Sequence, residues 1–164
     1  MLKDKYRILV TGACGSIGSK IVERLLADGH TVCAFDQNED GLFKLDQKYS
    51  SLFKGNLKLF IGSVRDLDRL TRAFENVDIV FHCAALKHVY LSEYNPFETI
   101  QTNIFGVNNV INAAIKTNVD RLIYTSSDKA VNPSSTMGAT KLLGERLLSS
   151  ANHYMGTHKT RFSS

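Results

Sequence analysis

The stretch SSDKAVNPSSTMGATK, residues 126–141, gathers hydroxyls, a carboxylate and two ammonium groups in a short span. Ser127, Asp128 and Lys129 are consecutive, so an acid and a base stand side by side where one proton could be given and another taken. Met137 and Lys141 are spaced by one helical turn. A proton-transfer site would want Tyr-x-x-x-Lys at that spacing. Met137 offers a thioether instead, which accepts no proton and can only pack. A plainer reading stands beside this one. Asp128–Lys129 would be a solvated turn, Pro133 a loop marker, Lys141 an exposed helix lysine and Met137 core filler.

A second constellation lies near the N-terminus. VTGACGSIGSK places Gly12, Gly15 and Gly18 between an apolar run and an amphipathic one. Glycines at this spacing permit a tight turn, close backbone approach to a pyrophosphate and close helix packing. The helix start, at Ser16 and Ile17, supplies N–H donors and the positive end of a dipole. A glycine triplet alone says little, but Asp36 follows at the end of the next strand, where a carboxylate would accept ribose hydroxyls. No arginine or lysine follows at once in DQNED, so NAD is preferred over NADP. Ser63 and Val64 fall where an adenine ring would lie, and Ala84 and Ala85 are small enough to let the cofactor backbone pass. Tight packing alone would also account for the alanines. His82, inside a strand, reads as a hydrogen-bonded structural histidine, whereas Lys87 and His88 just beyond are better placed to reach ligand.

The elements that must position these groups alternate along the chain. YRILVTG, TVCAFD, NLKLFIGSV, VDIVFHCAA and DRLIYTSS are short apolar runs. SIGSKIVERLLADGH, EDGLFKLDQKYSSLF, RDLDRLTRAFE, a long stretch opened by Pro96 and STMGATKLLGERLLSSANHY carry helical periodicity. Strands that are nearly all apolar fit a parallel sheet covered on both faces. The expected fold is a doubly wound α/β Rossmann sandwich of three layers, with strand order 3-2-1-4-5-6. KTRFSS opens a sixth strand that the sequence cuts short at Ser164, which leaves no segment for a substrate-binding lobe. Residues 1–164 are thus expected to be one dinucleotide-binding domain, either part of a longer protein or an unusually curtailed version.

Composition narrows the classes further. The chain is 43% hydrophobic and 22% charged, with two prolines, no tryptophan and no low-complexity segment or repeat. Its apolar runs are far shorter than the ~20 residues needed to span a bilayer. MLKDKYRILV carries no signal-peptide pattern, so a cytoplasmic protein is expected. The net charge of +4 is scattered, which tolerates a small anionic ligand and argues weakly for nucleic acid. Cys14, Cys33 and Cys83 lack metal-ligand spacing and read as small hydrophobes in a reducing compartment, so no metal site is expected.

Gly-x-x-Gly-x-x-Gly, HCAALKHVYLSEYNPFETIQTNIFGVNNVINAA and SSDKAVNPSSTMGATK together resemble the extended short-chain dehydrogenase/reductases. Within them the likeness is to the polysaccharide-biosynthesis sugar-nucleotide 4,6-dehydratases, whose typical substrate is UDP-N-acetylglucosamine. It runs from Arg7 to Ser164 and implies the first half of such an enzyme, with a homo-oligomer for the full-length form. By that resemblance Ser127 contacts the reacting hydroxyl, Asp128 and Lys129 are the acid/base pair, and Lys141 lies beside the nicotinamide ribose. Asn103 helps fix the geometry, Lys87 lies by the cofactor, and Met137 departs from the usual tyrosine, as it does in part of the group. Two other readings remain: a sugar-nucleotide 4-epimerase, which has no use for an acid/base pair aimed at C5 and C6, and a non-catalytic NAD-binding module.

Overall fold

The apolar runs form the strands of one parallel sheet, because each can bury both of its faces under helices. The computed structural model describes residues 5–154 and 158–164. The lead-in Met1–Asp4, part of the stretch read for a signal, lies outside the described residues. Six strands, β1 (Arg7–Thr11), β2 (Thr31–Asp36), β3 (Leu57–Ile61), β4 (Ile79–His82), β5 (Arg121–Tyr124) and β6 (Arg161–Ser163), align in the order β3-β2-β1-β4-β5-β6. Every pairing is parallel, and this is the expected Rossmann order. The switch point lies between β1 and β4, where the strand order reverses direction. Crossovers are α1 (Ser16–Ala27), α2 (Glu39–Tyr49), α3 (Leu67–Ala73), a helical stretch from 89 to 116, and α7 (Thr136–Tyr154).

The pleat sends alternate side chains to opposite faces. Leu9, Val80, Leu122 and Phe162 meet residues of α3, of the helical stretch from 89 to 116 and of α7 in one core. Val10, Val32 and Ala34 meet Val22 and Leu26 of α1 and Leu42 and Leu45 of α2 in the other. Asn38 caps α2 by accepting from Gly41 N at 2.9 Å, and Asp66 caps α3 by accepting from Arg69 N at 2.9 Å.

Two features depart from the sequence expectation. A short helix, α4 (Val89–Tyr94), precedes Pro96, and the long helix opened by Pro96 is not uniform. It runs as α5 (Pro96–Ile100), a π-turn (Gln101–Phe105) and α6 (Gly106–Lys116). Glu93 of α4 accepts from Thr136 N at 2.7 Å and from Thr136 Oγ1 at 2.9 Å, so it serves the start of α7 beside Ser135, whose Oγ accepts from Gly138 N at 3.1 Å. Among the described residues no helix is long and apolar enough to cross a membrane, and no group of three or more metal-ligating side chains gathers.

Candidate active site

The carboxyl ends of β1, β2 and β4 and the turn after β3 border a cleft of about 350 Å³. Of the residues singled out in the sequence, Gly12, Gly15, Asp36, Ser63, Val64, Ala84, Ala85 and Lys87 line it. Gly12 has φ +66°, and a Cβ there would lie 2.7 Å from Ala84 N. A Cβ on Gly18 would run into the Gly12 carbonyl, so Gly18 sets the close seating of α1 on the loop rather than lining the cleft. No side chain caps α1, which leaves the N–H groups of its first turn, at Ser16 and Ile17, for an anion. Ser16 and Ile17 themselves border a neighbouring apolar groove with Phe81. This backbone cradle, which side chains beyond hydrogen would fill, fits a pyrophosphate.

Asp36 is held in place by backbone donors: Oδ2 accepts from Cys14 N at 2.9 Å and Oδ1 from Asn38 N at 3.0 Å. It therefore ties β2 to the glycine loop as well as facing the cleft. Burial, and then the Asp36 charge, push the Cys14 thiol up to about 12, so it stays protonated and unreactive. Cys14 and Asn38 line the cleft too. Sequence reasoning placed Cys14 only as a packing residue, and its backbone role has no side-chain signature. Cys33 is buried in β2 as expected, whereas Cys14 and Cys83 are half-buried at the cleft.

The floor between β1 and β4 is polar. Thr11 Oγ1 accepts from Cys83 N at 3.2 Å and Ala84 N at 3.3 Å and pairs with His82 Nδ1 at 2.6 Å. His82 is fully buried and stacks on Tyr124 with ring centroids 5.7 Å apart. Asn103, in the π-turn, is 1% exposed and does not reach the cleft. Its amide accepts from Leu86 N at 2.8 Å and donates to Leu86 O at 2.9 Å and to Thr140 Oγ1 at 3.0 Å.

Beyond β5 the chain turns through a 3₁₀ segment, Asp128–Ala130. Ser127 Oγ donates to Asp128 Oδ1 at 2.9 Å and accepts from Lys129 N at 3.2 Å. Lys129 Nζ stands 3.5 Å from Asp128 Oδ1. The Ser127 hydrogen bond, and then the Lys129 charge, hold the Asp128 carboxyl below its ordinary range. Its side chain is 87% exposed, at the carboxyl edge of the sheet and outside the cleft.

Met137 and Lys141 occupy the first turns of α7 but differ from the plain reading of an exposed lysine. Met137 is 3% exposed and Lys141 6%. Lys141 Nζ donates to Thr125 O at 2.8 Å and lies 4.6 Å from the centre of the Tyr124 ring. Burial pulls the Lys141 ammonium down to about 8, opposed by Cys83 and Glu145. Sequence alone gave no sign of this burial.

The profile of a polysaccharide biosynthesis protein family matches residues 8–164. An uncharacterized membrane protein of Methanocaldococcus jannaschii is 54% identical, over 98% of this chain and 47% of its own length. A UDP-N-acetylglucosamine 4,6-dehydratase (inverting) of Campylobacter jejuni is 43% identical, over 95% of this chain and 46% of its own. A UDP-glucose 4-epimerase of Rickettsia conorii is 40% identical, over 90% and 43%. Among solved structures, Pen from Bacillus thuringiensis superposes with a TM-score of 0.92 at 43% identity, covering 98% of this chain and 49% of that one. MoeE5 in complex with UDP-glucose and NAD superposes at 0.82 and 27% identity, covering 96% and 52%. The chain spans about half the length of the curated relatives it matches. The family match over residues 8–164, nearly the whole chain, shows that the chain belongs to the polysaccharide biosynthesis protein family.

Proposed function

We propose that this chain is the cofactor-binding part of an NAD-dependent sugar-nucleotide 4,6-dehydratase, with UDP-N-acetylglucosamine as the substrate class. The observation that carries the reading is the placement of Ser127, Asp128 and Lys129 on the same sheet edge as the glycine cradle, one strand over from Ala84 and Ala85. NAD is favoured because Asp36 faces the cleft with no basic residue beside it in DQNED; NADP is the weaker alternative. The cofactor, when bound, would take up the C4 hydride of the sugar and return it at C6.

The chain's own residues handle the protons. The C5 proton is inert until C4 is a ketone, and then becomes acidic enough for Lys129 to remove and to give back to C5 once the hydride is at C6. Asp128 protonates the departing C6 hydroxyl with the proton it takes up when the C4 hydroxyl is oxidised. Lys141 orients the nicotinamide ribose and offsets negative charge growing on O4. Met137 is buried and carries no proton, so the C4 hydroxyl proton goes to Asp128 or to a water on Ser127, with Lys87 as the third choice. The protein is read as cytoplasmic and, at full length, as a homo-oligomer.

The test is a product assay with NAD and UDP-N-acetylglucosamine. Joined to a second half of the relatives' length, the chain should yield a product lighter by one water, and Lys129→Gln should abolish it while leaving dinucleotide binding. The 164-residue chain alone should bind dinucleotide weakly without turnover. A product of unchanged mass would favour a 4-epimerase, the activity named for the Rickettsia conorii relative. Dinucleotide binding with no product from the longer protein would leave a binding module.

A further inference from the structure

Each polar atom around Asn103 has a determined direction. Leu86 N–H donates to Asn103 Oδ1, while Asn103 Nδ2 donates one proton to Leu86 O and the other to Thr140 Oγ1. Thr140 Oγ1 in turn donates to Met137 O at 2.8 Å. A flipped amide would set N–H against N–H at Leu86, so the orientation is forced. Both side chains are buried, Asn103 at 1% and Thr140 at 3%, and water cannot stand in for a lost partner without rearrangement.

The two ends of this chain of bonds belong to different parts of the site. Leu86 and its neighbour Lys87 line the cleft. Thr140 precedes Lys141 and closes the turn that begins at Met137. The π-turn is what brings them together: the extra residue per turn over Gln101–Phe105 lies where the helix meets both the loop after β4 and α7.

We infer that Asn103 and Thr140 form a positioning pair that locks the cofactor wall at Leu86–Lys87 to the turn of α7 carrying Met137 and Lys141. The inference rests on the reading that the cleft takes a dinucleotide. Its content is a coupling: a change at Thr140, which reaches Leu86 through Asn103, should loosen the cleft wall.

Thr140→Val keeps the shape and removes the acceptor for Asn103; Thr140→Ser keeps the hydroxyl; Asn103→Asp removes both donors and sets a carboxylate oxygen against Leu86 O. In the 164-residue chain, amide exchange by NMR should show Leu86 protection falling about tenfold in Thr140→Val. Val32 and Val80 should keep their protection, and Thr140→Ser should restore Leu86. NADH affinity, read from nicotinamide fluorescence, should weaken about three- to tenfold in Thr140→Val and more in Asn103→Asp. Unchanged Leu86 protection in Thr140→Val would overturn the coupling, as would equal loss at Val32 and Val80. Loss at Leu86 with unaltered NADH affinity would overturn the positioning role. A parent chain that binds no NADH would instead defeat the dinucleotide reading, and the exchange measurements would still decide the coupling.

Discussion

Thr11 Oγ1 and His82 Nδ1 share a wholly buried hydrogen bond of 2.6 Å between β1 and β4. The same hydroxyl oxygen accepts from Ala84 N at 3.3 Å and from Cys83 N at 3.2 Å, the Cys83 amide being shared with Thr11 O at 3.1 Å. The other ring nitrogen, His82 Nε2, is buried and has no partner among the described residues. One threonine thus joins the glycine turn of β1 to the cofactor side of β4. Replacing it with valine would keep the shape and strand Nδ1 and the Ala84 amide, while the Cys83 amide would keep Thr11 O. Thr11→Val should lower stability by about 1–3 kcal/mol in urea titration. It should also weaken dinucleotide binding, because Ala84 forms part of the cleft wall.

His82 also predicts an acid limb. Burial is the main cause that pushes it down to about 3, and the Lys141 charge adds to it. Above its ordinary value of 6.5 the ring is neutral in both folded and unfolded chains, and nothing is lost. As pH falls from 6.5 toward 3 the unfolded chain takes a proton that the folded one refuses, so stability declines. The slope from this residue should approach about 1.4 kcal/mol per pH unit. His82→Gln, compared with the parent chain in denaturant at pH 7 and pH 5, should show a flatter decline. Equal slopes would remove His82 as the cause.

How much of this was legible in the sequence follows from which forces are local. The strands were readable because both faces of a parallel sheet are buried, so RILVT and TVCAFD are apolar nearly throughout. The glycine cradle was readable because its conformations are backbone properties, as the positive φ at Gly12 shows. Helix α4 was not: of VYLSEY only Ser92 is buried, and what the helix does for the fold, through Glu93, involves a residue 43 positions away. Nor was the π-turn, since periodicity assumes a constant residue count per turn and Gln101–Phe105 breaks it. The burial of Lys141 was invisible because it depends on Tyr124 and Thr125 arriving from another strand.

Asp36 offers a direct test of the adenosine end. Both carboxylate oxygens accept backbone N–H groups, from Cys14 and Asn38. Asparagine has one oxygen, so Asp36→Asn must aim an NH₂ at one of those donors. Stability should fall by about 1–2 kcal/mol, the size of a charge-assisted hydrogen bond with its partner left wanting. NADH affinity should fall with it, and discrimination against NADPH should shrink, since the charge that repels a 2′-phosphate is gone. Unchanged relative affinities for the two dinucleotides would place the specificity elsewhere.

Replacing Lys141 should raise stability where replacing Asp36 lowers it. Its ammonium is buried against the Tyr124 ring and donates to Thr125 O, and burial holds it near 8 instead of 10.5. Below pH 8 both states are protonated, and the folded chain bears the cost of a poorly hydrated charge. Between 8 and 10.5 the unfolded chain keeps a proton that the folded one has lost, so this residue makes stability rise with pH. Lys141→Met exchanges the charge for a flexible apolar chain of similar length. It should stabilise the protein at pH 7 by about 1–3 kcal/mol and erase the rise toward pH 10, both measurable by denaturant titration. Dinucleotide binding should weaken in the same variant, as expected where a site retains a group that folding alone would discard. A Lys141→Met chain less stable than its parent at pH 7 would mean that the bond to Thr125 O outweighs the burial cost.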